Sequence, residues 1–144
     1  MAKALGKNKR GGPFFVVHAE WYKSPAFMEL SVYAKSLLFL FLDIYRPGRN
    51  GALSISTRNA MRLIPASERP CLHAFTELME HGFLVLTNCE NWTKRKAREF
   101  ELTIMETDGR QPKDLWKNWQ PNKPVLKLPV KKNPRPYIVG QSVG

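Results

Sequence analysis

The sequence predicts an α+β domain, a three-helix core with a small antiparallel sheet, carrying a flexible basic tail at each end. Three observations lead there. Residues 32–45 form a broad apolar helical face with no helix breaker. Three later segments, 52–56, 83–89 and 99–104, have the alternation or the β-branched and aromatic content of strands. Charge, finally, is confined to the ends. The 144-residue chain has a formal net charge of +11. Residues 1–12 hold Lys3, Lys7, Lys9 and Arg10 with no acid, and residues 110–144 hold eight basic groups against Asp114. Residues 13–109 carry eleven groups of each sign and sum to zero. The expected organisation is therefore a disordered basic arm over 1–12, a neutral domain over 13–109, and a Pro-rich basic tail over 110–144. Cationic arms on a neutral body suit a polyanionic partner, because each phosphate contact releases counterions.

The elements follow in order. Phe14–Val17 reads as a short edge strand or an extended lead-in. Ser24-Pro25 reads as an N-cap with proline at the first helical position, opening a short helix that buries Phe27, Met28 and Leu30. Ser31 is a second N-cap. From Val32 to Tyr45 the residues Val32, Leu37, Leu38, Phe41, Leu42 and Tyr45 share one face, as expected for the central buried helix. The turn residues of 46–51 end it. Ala52–Ser56 alternates as a half-buried strand. Ser56 or Thr57 caps a helix over Arg58–Ile64, and Pro65-Ala66-Ser67 is a short turn. A third helix runs from about Glu68 to His81, with Pro70 tolerated in its first turn and Gly82 as C-cap. Its buried stripe is Cys71, Ala74, Phe75, Leu78 and Met79. Phe83–Cys89 is a strand. Phe100, Leu102 and Ile104 alternate with Glu99, Glu101 and Thr103, a strand with one wet face. The polar stretch between them makes a charged hairpin tip.

Helix, strand, helix, short turn, helix, strand, charged loop, strand is the order of a winged helix-turn-helix, with the hairpin loop as a basic wing. A helix fits the major groove of DNA and reads base edges, while a basic loop beside it fixes register on the backbone.

The segment Asn50-Gly51-Ala52-Leu53-Ser54-Ile55-Ser56, a following helix, and Ala74-Phe75-Thr76-Glu77-Leu78-Met79-Glu80-His81-Gly82-Phe83-Leu84 carry a resemblance. Together they resemble the winged helix-turn-helix proteins of bacteria, phages and mobile elements, over roughly residues 14–106. The resemblance implies binding of double-stranded DNA, in transcription control or in replication and maintenance of a mobile element. It implies that the third helix is the recognition helix, with Ser67, Glu68, Arg69, Leu72, His73 and Thr76 facing the groove. Leu72 and His73 stand where the family usually has small polar and basic residues, and Pro70 replaces a hydroxyl residue. This helix is not visibly cationic, so phosphate affinity falls to the tails and to the wing, with Lys94, Arg95, Lys96 and Arg98. Trp92 in the wing either stacks on a base or wedges into a groove, or folds down on the domain edge.

Other functions find less in the residues. No phosphate loop, no carboxylate pair with a histidine and no metal cluster is recognisable, so neither enzymatic activity nor a cofactor is expected. Cys71 and His73 are two ligands, too few for a structural zinc site. His18, His81 and the cysteines read as packing or capping residues. The two cysteines, Cys71 and Cys89, suit a reducing cytosol. The longest apolar run, Leu37–Leu42, is far short of the roughly 20 residues that span a membrane. A cytoplasmic, nucleoid-associated protein is the expectation. The alternative is a protein-docking module, using Leu72 or the pair Trp116 and Trp119, whose basic tails bind an acidic partner or RNA. Monomer and homodimer both stay open.

Overall fold

A computed structural model describes residues 11–88 and 98–121. The expected basic arm over its first ten residues, the tip of the hairpin loop over 89–97, and the tail from 122 onward lie outside the described residues.

The described fold is α+β. Two short helices, α1 (Ala19–Tyr22) and α2 (Pro25–Met28), lead into α3 (Val32–Ile44). Helices α4 (Thr57–Leu63) and α5 (Glu68–Glu80) follow, then strands β1 (Leu84–Asn88) and β2 (Glu99–Leu102). Short 3-10 turns lie at Pro47–Arg49 and Leu115–Asn118. The helix starts obey local capping chemistry. Ser24, Ser31 and Ser56 each accept a hydrogen bond at the side-chain oxygen, from the backbone N–H of Phe27, Ala34 and Asn59 respectively. Each satisfies a donor that the helix itself leaves unpaired. Helix α1 was not expected from the sequence.

The core forms where α3 and α5 cross under the sheet. Phe41 of α3 meets Phe75 of α5 edge-on, with ring centroids 6.1 Å apart. Phe100 of β2 closes the cluster, edge-on to Phe41 at 5.5 Å and stacked on Phe75 at 5.6 Å. A second aromatic group, Trp21, Phe27 and Phe83, joins α1 and α2 to the start of the hairpin. Val32, expected on the apolar face, is 69% exposed. It occupies the first position of α3. Met28, expected to be buried in the short helix, is exposed as well.

β1 and β2 pair antiparallel in the register Leu84 to Leu102 and Leu86 to Phe100, with an irregularity before Asn88. The strand expected over 52–56 contracts to one bridge. Leu53 exchanges both backbone hydrogen bonds with Phe100, at 2.8 and 3.1 Å. Its neighbours are committed elsewhere: Ala52 N–H closes a turn on Arg49 O, and Ser56 caps α4. The segment 14–17 is an extended lead-in with no strand pairing, held by Phe15 against Phe39.

The expected wet face of the last strand is absent. Glu101 and Thr103 are buried, because the chain beyond β2 doubles back over them. Asp108 and Gly109, both with positive φ, form the turn of a small hairpin between Thr107 and Arg110, the backbone that a two-residue reversal needs. Asp114 N–H then bonds Thr103 O at 2.9 Å, and Trp116 stacks on Phe83. Trp116 is buried and Trp119 lies flat on His81, with ring centroids 4.9 Å apart. The packed body therefore runs past 109, the expected boundary, as a strap over 103–119. Hydrogen bonding makes the burial of Glu101 tolerable: it takes Lys113 Nζ and Thr107 Oγ1, each at 3.2 Å.

Candidate nucleic-acid interface

Helices α4 and α5 are joined by residues 64–67, and each exposes polar side chains. The apolar residues of α4 are spaced to turn Ala60 inward, and Ala60 is fully buried. That leaves Arg58, Asn59 and Arg62 outside. Arg62 donates to Asn59 Oδ1 at 3.3 Å, so one side chain steadies the other. Arg58 and Arg62 lie four residues apart, on the same face of the helix. Their role was not anticipated, although the i, i+4 arginine pair opposite a buried alanine is visible in the sequence.

On α5, Ser67, Glu68, Arg69 and His73 are exposed. The His73 side chain is 58% exposed and its Nδ1 lies 3.9 Å from Glu77 Oε1. Leu72 and Thr76, expected to face a groove, are only 9% and 8% exposed. From residue 74 to 79 the helix is buried without a break, so it sinks into the body after its second turn. Ser31 donates from both its backbone N–H and its hydroxyl to the Glu77 carboxylate, each at 2.7 Å. An acceptor from α5 thus caps α3, where the helix dipole favours a negative charge. The outward face of α5 is short: Ser67, Glu68, Arg69 and His73 in its first two turns. Ser67 makes no side-chain capping bond to the helix.

Arg98, expected to reach DNA from the wing, is half-buried at the foot of the loop. Its guanidinium carbon sits 4.8 Å from the centroid of Phe75 and 5.7 Å from that of Phe100. Such stacking anchors the chain where it enters β2. Trp92, Lys94, Arg95 and Lys96 lie outside the described residues. Of the docking alternative, Leu72 and Trp116 face inward, and Trp119 is half-buried against His81.

Elsewhere the chemistry is subdued. Burial pushes the Cys71 thiol above its ordinary range, which disfavours a reactive thiolate. An open cleft of about 1080 Å³ is lined in part by Phe14, Asp43, Tyr45 and Arg46. Burial, and secondarily the Glu106 carboxylate, raise the Tyr45 phenol, which donates to Glu106 O at 2.7 Å. It is a structural donor there. No helix among the described residues is long and apolar enough to cross a membrane. The chain matches no protein-family model, no curated protein and no solved structure, so its function is read from its own residues.

Proposed function

We propose that the protein is a winged helix-turn-helix protein that binds double-stranded DNA, in transcription control or in replication and maintenance of a mobile element. The observation that carries this reading is the set of basic side chains exposed on α4 and α5. Three arginines, Arg58, Arg62 and Arg69, stand with His73 on two consecutive helices, and nothing in the described body covers them. In this reading α4 and the N-terminal end of α5 approach the duplex. Arg58 and Arg62 hold phosphates, while Arg69 and His73 meet base edges. Leu53 ties the segment before α4 to β2. Arg98, stacked on Phe75 and Phe100, anchors the start of β2 to the core. The cationic tails supply affinity that does not depend on sequence.

The deciding experiment titrates the full chain against fragments of its own upstream DNA and a scrambled duplex of equal length, near physiological salt. Roughly a thousandfold preference or more identifies a sequence-specific regulator or initiator. Arg69→Ala should then cost about 1–3 kcal/mol on the preferred site and little on the scrambled one. Arg58→Ala with Arg62→Ala should weaken both alike and reduce the salt slope by about 2. Absence of binding to either duplex refutes the proposal.

The tail makes a separate prediction. Deleting 122–144 removes Lys123, Lys127, Lys131, Lys132 and Arg135. If all five meet phosphates, the slope of log affinity against log salt falls by about 4. An unchanged slope means that the tail takes no part.

A further inference from the structure

Three side chains with metal-binding atoms converge where α2, α3 and α5 meet. They are Glu29, which caps the C-terminus of α2, and Glu77 and His81, one turn apart at the end of α5. Their ligand atoms all lie within 4.8 Å of one another. We propose that Glu29, Glu77 and His81 form a binding site for a divalent transition-metal ion of the zinc class.

Each ligand is already oriented. His81 Nδ1 lies 2.8 Å from the carbonyl oxygen of Glu77, which can only accept, so Nδ1 carries the hydrogen. A metal-binding histidine is usually fixed in this way, by a hydrogen bond from its second ring nitrogen. Trp119 stacked on the ring holds its plane. The lone pair of Nε2 then points at Glu29 Oε1, 2.6 Å away. At that distance the two atoms share a hydrogen bond, and an ion takes the place of its hydrogen once they move apart. Glu77 is buried and its carboxylate is aimed by the two bonds from Ser31, which leave oxygen lone pairs unused.

Charge points the same way. Two carboxylates stand around one imidazole, one of them buried. Among the described residues no lysine or arginine pairs with either; the facing group is His73, 3.9 Å from Glu77. A buried carboxylate without a full counter-charge is costly, and a divalent ion supplies that charge. Imidazole with carboxylates matches the preference of zinc. Ligands at zinc bond lengths of about 2.0–2.1 Å stand about 3.3 Å apart in a tetrahedron, so Glu29 must back away from His81 by under about 1 Å, and ligand atoms now up to 4.8 Å apart must draw together onto the ion. The Glu29 side chain is 60% exposed and is free to do so. The same exposure gives the ion a route in and leaves the fourth position to water.

The test titrates the full chain, stripped with a chelator, with Zn²⁺ by calorimetry, and repeats it with Co²⁺ to read the visible absorption of a tetrahedral site. One ion per chain is expected. Glu29→Gln, an exposed change that leaves the core intact, should weaken binding at least tenfold, since even outer partners of a metal ligand are worth about 10–100-fold. His81→Gln should abolish the stoichiometric step, and His73→Gln should leave it within about twofold. The proposal is overturned if the wild-type chain takes up no ion saturably. It is equally overturned if Glu29→Gln binds as tightly as wild type, which places the ion elsewhere, for instance on the thiols.

Discussion

Replacing Asn50 with alanine should lower stability by about 3–4 kcal/mol, among the largest effects of any polar substitution in this chain. Asn50 is buried just before the Leu53 bridge. Its Nδ2 group faces four acceptors: Leu102 O at 3.0 Å, Thr107 Oγ1 at 2.9 Å, Glu106 O at 3.2 Å and Met105 O at 3.3 Å. Its Oδ1 accepts from Leu102 N–H at 2.7 Å. One amide thus ties the turn after α3 to the end of β2 and to the strap. Alanine leaves the N–H and the carbonyl of Leu102 buried without their Asn50 partner, and each such group costs about 1–3 kcal/mol. Urea unfolding reads the change. With a slope of about 1–3 kcal/mol per molar, the midpoint should fall by about 1–4 M. Asn50→Asp sharpens the test. It keeps the acceptor for Leu102 N–H but turns a carboxylate toward three carbonyl oxygens, so at neutral pH it should be at least as damaging. A midpoint within about 0.3 M of wild type for either variant would show that the amide is not the tie that its geometry describes.

Asn50 also marks the limit of what the sequence discloses. Its place in an Asn-Gly pair suggests a turn, and the turn is there. That the side chain reaches residues 102–107 follows from contacts more than fifty positions apart. The same division runs through the fold. Ser24, Ser31, Ser56 and Gly82 were legible as helix ends because capping is decided within a few residues. Glu101 and Thr103 were misread as a wet face because alternation reports which residues share a side, not whether another segment covers that side. Here the strap covers it, and Trp116 is the residue that holds the strap down. The strand expected over 52–56 had the right pattern, but three residues between a turn and a helix cap leave room for one bridge.

The candidate interface divides in the same manner. Arg69 and His73 are exposed on α5 as its apolar stripe requires. Leu72 and Thr76 fall on the outward side of an idealised helix, yet both are buried; for Thr76 the reason is that α5 enters the body after two turns. The Ser31–Glu77 contact that helps enclose it joins residues 46 positions apart. Arg58 and Arg62 could have been found from spacing alone. The ligand set Glu29, Glu77 and His81 could not, since Glu29 reaches it from another helix. Even the pair Glu77 and His81 reads as an ordinary polar helix end until burial is known.

Gly82→Ala should cost about 3–4 kcal/mol and release the strap, and its mechanism can be separated from simple backbone strain. Gly82 has φ +86°, where an L side chain is strained by about 1–2 kcal/mol. That much follows from its place after α5. The structure adds a collision: a Cβ there would stand 2.7 Å from Trp116 N, 2.8 Å from Leu115 C and 2.9 Å from Leu115 O. All three are backbone atoms, so no side chain can rotate away. The 3-10 turn at Leu115–Asn118 must lift, drawing Trp116 off Phe83 and Trp119 off His81. Thr103 Oγ1, which donates to Gly82 O at 2.6 Å, is disturbed as well. Gly51→Ala is the control. Gly51 has φ +109° and nothing within 4 Å of its Cβ, so it should show strain alone, about 1–2 kcal/mol. The excess cost at Gly82, together with a red-shifted tryptophan emission seen only in that variant, measures the grip of the strap on the domain. Equal costs at the two glycines, with unchanged emission in both, would mean that residues 110–119 rest on the body without contributing to its stability. The tail would then begin near 109 in energetic terms, whatever its packing.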